Sequence, residues 1–206
     1  DARQLTHGPW NVTRILAADE PGDAVYVSAL KDGPLEQHAY RLDLAGGSLE
    51  RLTAPGAWHE ATVSLSAGGG GIIDTWSNAE TPPQVDLLDR SGAPLTPLHA
   101  SLPDAPGHPL NRYANPGRTH FGEIRAEDGQ TLHWRAICPD GDGPHPVIVV
   151  VYGGPGVQRV TRAWQPPWTR YFVQRVYVIF QLDNRGSSNR GNAFEAPIQR
   201  QLGACE

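Results

Sequence analysis

The sequence predicts a mixed fold: repeated short antiparallel strands over residues 1–99, then the opening part of an α/β domain over residues 119–206. Three observations predict it. A pattern of Leu-Thr, turn and Trp recurs at an offset of 47 to 48 residues, in RQLTHGPW at 3–10 and RLTAPGAW at 51–58. The stretch from Ala100 to Pro116 carries Pro103, Pro106, Pro109 and Pro116, so it reads as neither a helix nor an interior strand. Beyond it, PVIVVV at 146–151 is a continuous β-branched run, the pattern of a strand buried on both faces of a sheet.

In the first part, Thr13–Ala17, Ala24–Leu30, Ala39–Leu44 and Leu49–Thr53 form one set of four strands. Ala61–Leu65, Gly71–Trp76, Gln84–Asp89 and Pro94–Leu98 form a second. Turn chemistry separates them at Pro21-Gly22-Asp23, Asp32-Gly33-Pro34, Gly46-Gly47 and Ser91-Gly92. A period in the forties with four strands per period is the content of a β-propeller blade. Residues 100–118 then read as a proline-rich linker.

In the second part, Phe121–Ala126 and Thr131–Ile137 flank Asp128-Gly129 and predict a hairpin. The apolar run follows, broken by Gly153-Gly154-Pro155-Gly156. Trp168–Gln174 reads as a helix after an irregular lead-in at 161–167, and Val176–Leu182 as a second buried strand. Asp183–Gly191 is a polar loop. Asn192–Leu202 reads as a further helix with Gly203 as its stop. Hairpin, buried strand, Gly-rich turn, crossover, buried strand and loop, in that order, is how an α/β-hydrolase domain begins. In that fold a loop after an early strand helps to build the oxyanion hole.

Composition narrows the function classes. A net charge of −5 argues against a nucleic-acid partner, which needs a basic face. No stretch approaches the roughly 20 apolar residues that span a bilayer. Cys138 and Cys205 lie far apart without metal-ligand spacing, and read as free buried thiols. His99 and His108, in or beside the proline-rich stretch, make a poor metal pair, and no cofactor motif is present. The chain contains no methionine and starts at Asp1, so it reads as an internal segment or a processed product.

Three segments carry a specific resemblance. VVVYGGPG at 149–156, LDNRGSSNRG at 182–191 and RQLGACE at 200–206 resemble the dipeptidyl peptidase IV branch of the prolyl oligopeptidase family of serine peptidases. The resemblance extends over the blade repeats and the strand order. It implies C-terminal blades of a β-propeller followed by the N-terminal part of an α/β-hydrolase domain. It implies peptide substrates cut two residues from a free amino terminus, after Pro or Ala at P1, through an acyl-enzyme. Export to the periplasm or medium and a homodimer are further expectations by analogy.

The resemblance makes Tyr152 the oxyanion-hole tyrosine. A phenol suits that task because it is a neutral donor at neutral pH; on its own, a strand-end tyrosine equally packs its ring. Gly153, Gly154, Pro155 and Gly156 would set the turn that exposes it, and equally read as a plain loop. Asp183, Arg185 and Gly186 correspond to a conformational anchor, with an internal ion pair holding the loop as the first reading and direct substrate contact as the second. Trp164 and Trp168 beside Pro166-Pro167 read as packing or as a proline-binding surface.

No Gly-x-Ser-x-Gly elbow occurs in the sequence, and all eight histidines lie at or before His145. In α/β-hydrolases the triad runs Ser, Asp, His along the chain, so the expected nucleophile follows position 206. The family's paired glutamates for the substrate amino group are expected before Asp1. The 206-residue chain alone is therefore expected to be inactive and aggregation-prone. Two other readings remain. A proline iminopeptidase-like hydrolase shares Gly-Gly-Pro-Gly and Asp-x-Arg-Gly, but lacks a propeller and usually has His at the Tyr152 position. A non-catalytic propeller-containing binding protein would lack the serine.

Overall fold

A computed structural model of the chain describes residues 3–66, 69–103, 105–113 and 117–204. Cys205 lies outside them. Mostly β-sheet, the chain divides into two compact units. The first comprises the described residues up to Ser101 together with Arg162–Trp164; the second comprises the rest.

The first unit holds two four-stranded antiparallel sheets in simple sequential order. One contains β1 (Val12–Asp19), β2 (Ala24–Ala29), β3 (His38–Asp43) and β4 (Leu49–Arg51). The other contains β5 (Trp58–Ser64), β6 (Gly71–Ser77), β7 (Gln84–Leu88) and β8 (Pro94–His99). Each connection falls at a Gly, Pro or Asp cluster, where hairpin turns are cheapest. Gly92 shows why: at φ +86° its missing Cβ would lie 2.3 Å from the Leu52 carbonyl oxygen. Tyr26, Ala39 and Leu52 pack with Ala61, Ile72 and Leu88 in one apolar cluster shared by both sheets. β8, with Pro94 and Pro97, is an exposed edge strand, the position where proline costs no ladder bond.

A polar seam lies beside that cluster. His38 is fully buried. Its Nε2 lies 3.1 Å from Glu36 Oε2, and its Nδ1 lies 3.0 Å from the Thr53 hydroxyl. Glu36 also accepts from Gly56 N–H at 2.7 Å and pairs with Arg162 at 2.9 Å. His59 lies 2.8 Å from Asp74 and stacks between His38 and Trp76.

Burial pushes the His38 imidazole below its usual range, against the opposing pull of Glu36. The unfolded chain therefore binds this proton more readily than the folded one. The stability His38 contributes is present above about pH 6.5 and is lost as pH falls through the depressed folded value. In the full-length protein the thermal midpoint should drop between about pH 7 and pH 5. His38→Gln should flatten that slope. Parallel wild-type and variant slopes would show that His38 does not contribute.

The second unit holds one four-stranded sheet in the order β11-β12-β10-β9. β9 (Arg118–Arg125) and β10 (Thr131–Cys138) form the hairpin around Asp128-Gly129. β11 (Val147–Val150) runs parallel to β12 (Val178–Leu182), and β12 antiparallel to β10. The crossover between the parallel strands carries α1 (Pro167–Val173), which starts at Pro166-Pro167, where missing N–H groups cost nothing. Val173 and Phe172 of α1 pack with Ile137, Ile148, Val150 and Ile179 on one face of the sheet.

Among the described residues β11 is the outermost strand of its sheet, and Val147, Val149 and Val151 are 56–63% exposed. Three expectations need correction. The helix expected over 192–202 is one short turn, α2 (Asn192–Glu195), followed by a 3-10 turn at Ala196–Ile198. Pro197 removes an N–H from the ladder and tightens the chain, and Arg200 sits at φ +61°. The proline-rich stretch holds a short 3-10 turn at Pro109–Arg112, with proline at its first position. Cys138 is half-buried rather than buried, and unbridged.

Candidate functional site

β11 and β12 are parallel neighbours, with Val150 paired to Gln181. Their C-terminal ends therefore lie side by side, and the loops that leave them share one end of the sheet. In open α/β sheets that end is where ligands bind. The first loop carries Tyr152 and the second carries Asp183, Arg185 and Gly186.

Tyr152 lies just beyond the end of β11 and is 50% exposed. Its ring is not buried in the core. Gly154 runs against the ring: a Cβ there would lie 3.1 Å from Cε1 of Tyr152. Gly153 at φ +73° and Gly156 at φ +77° turn the chain through conformations that side chains resist. The Arg159 guanidinium stands 5.8 Å from the centre of the Tyr152 ring.

The two loops are bonded to each other. Gly156 N–H donates to the Gly186 carbonyl at 2.9 Å, and Gly186 N–H to the Phe194 carbonyl at 3.1 Å. Gly186 adopts φ +86°, and a Cβ there would lie 2.6 Å from Ile198 Cγ2. Glycine is required at this junction for both conformation and space.

Asp183 and Arg185 do not pair with each other. Arg185 forms a two-pronged ion pair with Asp128, its Nε 2.7 Å from Oδ2 and its Nη2 bonded to Oδ1. This bond holds the Asp128 carboxyl below the usual carboxylate range. It ties the second loop to the β9–β10 hairpin. Asp183 is buried and receives backbone N–H groups instead: Arg159 N at 2.7 Å and Val160 N at 3.1 Å. Burial pushes its carboxyl up, while these N–H groups and the Arg135 charge oppose the rise.

Sequence reasoning missed Arg135 and Gln181. They are ladder partners on β10 and β12, and Arg135 Nε donates to Gln181 Oε1 at 2.9 Å. The available signal was a charge inside an otherwise apolar strand, HWRAIC, which needs a partner when buried. Ser187 is buried, with its N–H on the Asn184 carbonyl. Trp164 belongs to the first unit and Trp168 to the second. His108 Nδ1 accepts from Leu110 N–H. Among the described residues, no group of three or more His, Cys, Asp or Glu side chains could hold a metal ion. No helix there is long and apolar enough to cross a membrane.

The arrangement offers an exposed phenol at the mouth of a parallel strand pair, on a loop anchored from two sides. It can donate a hydrogen bond to a ligand oxygen at that end of the sheet.

Residues 1–83 match the family model described as the dipeptidyl peptidase IV (DPP IV) N-terminal region. A protein of Aspergillus fumigatus named "Probable dipeptidyl peptidase 4" is 31% identical over 98% of this chain and 27% of its own length. Dipeptidyl peptidase 4 of Trichophyton rubrum is 29% identical with the same coverage. The crystal structure of Porphyromonas gingivalis dipeptidyl peptidase 4 superposes on 96% of this chain and 28% of its own, with a TM-score of 0.80 and 25% identity. The chain thus spans about a quarter of the relatives it matches. Its three four-stranded sheets, its strand order and its similarity over nearly its whole length lead to one assignment: the chain belongs to the dipeptidyl peptidase IV branch of the prolyl oligopeptidase family.

Proposed function

We propose that the protein to which this chain belongs is a serine exopeptidase that releases N-terminal dipeptides, preferring Pro or Ala at the second position, through an acyl-enzyme. In this reading the two sheets of the first unit are propeller blades, and the second unit opens an α/β-hydrolase domain. The observation that carries it is the half-exposed Tyr152 beyond the C-terminal end of β11, beside the anchored loop after β12.

The chemistry follows from charge. Attack of a serine oxygen on the scissile carbonyl moves negative charge onto the carbonyl oxygen. A donor already oriented stabilises that charge without reorganisation. Tyr152 Oη would be one donor, and a backbone N–H after the nucleophile the second. The nucleophile, acid and base are not among these 206 residues, so this chain contributes stabilisation of the intermediate rather than bond-making. Export and pairing into a homodimer belong to the same proposal, supported by the family alone.

The full-length protein should cleave Gly-Pro and Ala-Pro anilides, lose activity to a serine-directed phosphonate, and ignore substrates with an acetylated amino terminus. The 206-residue chain alone should show no turnover. Cleavage of the acetylated substrates, or phosphonate-sensitive turnover by the short chain, would overturn the assignment.

A further inference from the structure

Arg135 is a fully buried charge, 1% exposed, that the reading of Tyr152 leaves unused. A buried guanidinium is costly to desolvate, so its partners matter. Its Nε and Nη2 both donate to Gln181 Oε1 across the β10–β12 ladder. Its Nη1 donates to the Thr161 carbonyl at 2.7 Å and its Nη2 to the Arg159 carbonyl at 2.9 Å.

The same short stretch of backbone is gripped with the opposite polarity by Asp183, which accepts Arg159 N–H and Val160 N–H. Gln158 Nε2 takes the remaining carbonyl of this stretch, that of Val160, at 3.0 Å. Gln158 is in turn held by Asn189 Nδ2 at 3.0 Å. Val160 itself is fully buried. This clamped stretch is the return leg of the loop that begins with Tyr152. The outgoing leg is the end of β11, and the middle is bonded through Gly156 to Gly186.

Burial lowers the Arg135 pKa to about 10, against the opposing charge of Asp183, so the side chain remains a cation at neutral pH. A planar fork reaches two carbonyls in fixed geometry, which a lysine ammonium on a flexible stem does not reproduce.

We infer that Arg135 is a positioning residue for Tyr152: by holding the Arg159 and Thr161 carbonyls, it fixes the loop that presents the phenol. This rests on the reading of Tyr152 as an oxyanion donor.

The test uses the full-length enzyme in five forms: wild type, Arg135→Lys, Arg135→Met, Tyr152→Phe, and the double variant Arg135→Met with Tyr152→Phe. Active sites are titrated with a serine-directed phosphonate, so that misfolded protein does not count. Per titrated site, Arg135→Met should lower kcat about tenfold or more, since small displacements of a catalytic group cost that much. KM should stay within about twofold, because the interaction forms only in the transition state. Arg135→Lys should recover part of the loss. The double variant should be no slower than Tyr152→Phe alone, because both changes remove the same interaction. If Arg135→Met yields no folded enzyme, Arg135→Lys, alone and combined with Tyr152→Phe, serves the same comparison.

Unchanged kcat per site in the Arg135 variants would overturn the inference, and so would losses that multiply in the double variant. A large effect of Tyr152→Phe with multiplying losses removes Arg135 alone. A silent Tyr152→Phe removes the oxyanion reading and this inference together.

Discussion

Tyr152→Phe in the full-length enzyme should lower kcat about 100-fold and leave KM nearly unchanged, the usual cost of one oxyanion donor. The substitution deletes one hydroxyl and keeps the ring. Gly154 would still run against the same ring edge, and Arg159 would still face it. The side chain is half exposed and contributes little burial, so the melting temperature should hold. A uniform loss of substrate affinity would instead raise KM, since ground-state contacts act equally on substrate and transition state. Steady-state kinetics of wild type and variant, normalised to titrated active sites, separate the two. An unchanged kcat removes Tyr152 from the mechanism.

The local parts of this structure were readable from sequence, and the non-local parts were not. The strands of both first-unit sheets lie close to where turn chemistry divides them, because Pro21-Gly22-Asp23 and Asp32-Gly33 act on their own backbone. The repeat of Leu-Thr and Trp also has a physical basis in its second copy. Leu52 joins the shared core, and Thr53 bonds His38 and the Ala39 N–H. Tyr152 was reached through resemblance, because a tyrosine after a strand carries no mark of its own. The partner of Arg185 was not readable because it lies 57 residues away, at an aspartate whose turn role already explained it. Arg135 was missed for the same reason: its partners lie 24 to 46 residues away, and two of them are backbone carbonyls, which no residue type marks.

The anchoring of that loop leads to the second large effect. Asp183→Ala in the full-length protein should destabilise the fold by about 3–5 kcal/mol, the cost of removing one partner from a buried charge cluster. The loss has two sources. The Arg159 and Val160 N–H groups lose their shared acceptor in a buried site, and each orphaned donor carries a desolvation penalty. Arg135 loses the carboxylate that opposes the cost of its burial. Asp183→Asn should cost less than half as much, because its carbonyl oxygen can keep both N–H bonds that Oδ1 now accepts. The pH dependence has a definite sign. Burial raises the folded pKa of Asp183 above its unfolded value, so the folded state binds this proton more readily. The stability linked to that proton is present below about pH 3.9 and is lost as pH rises through the folded value. An asparagine resembles the protonated form, so its penalty relative to wild type should shrink from acid toward neutral pH. Urea midpoints at several pH values, with unchanged slopes, measure all three quantities. An Asp183→Ala variant as stable as wild type would mean that the loop is held by contacts other than this carboxylate.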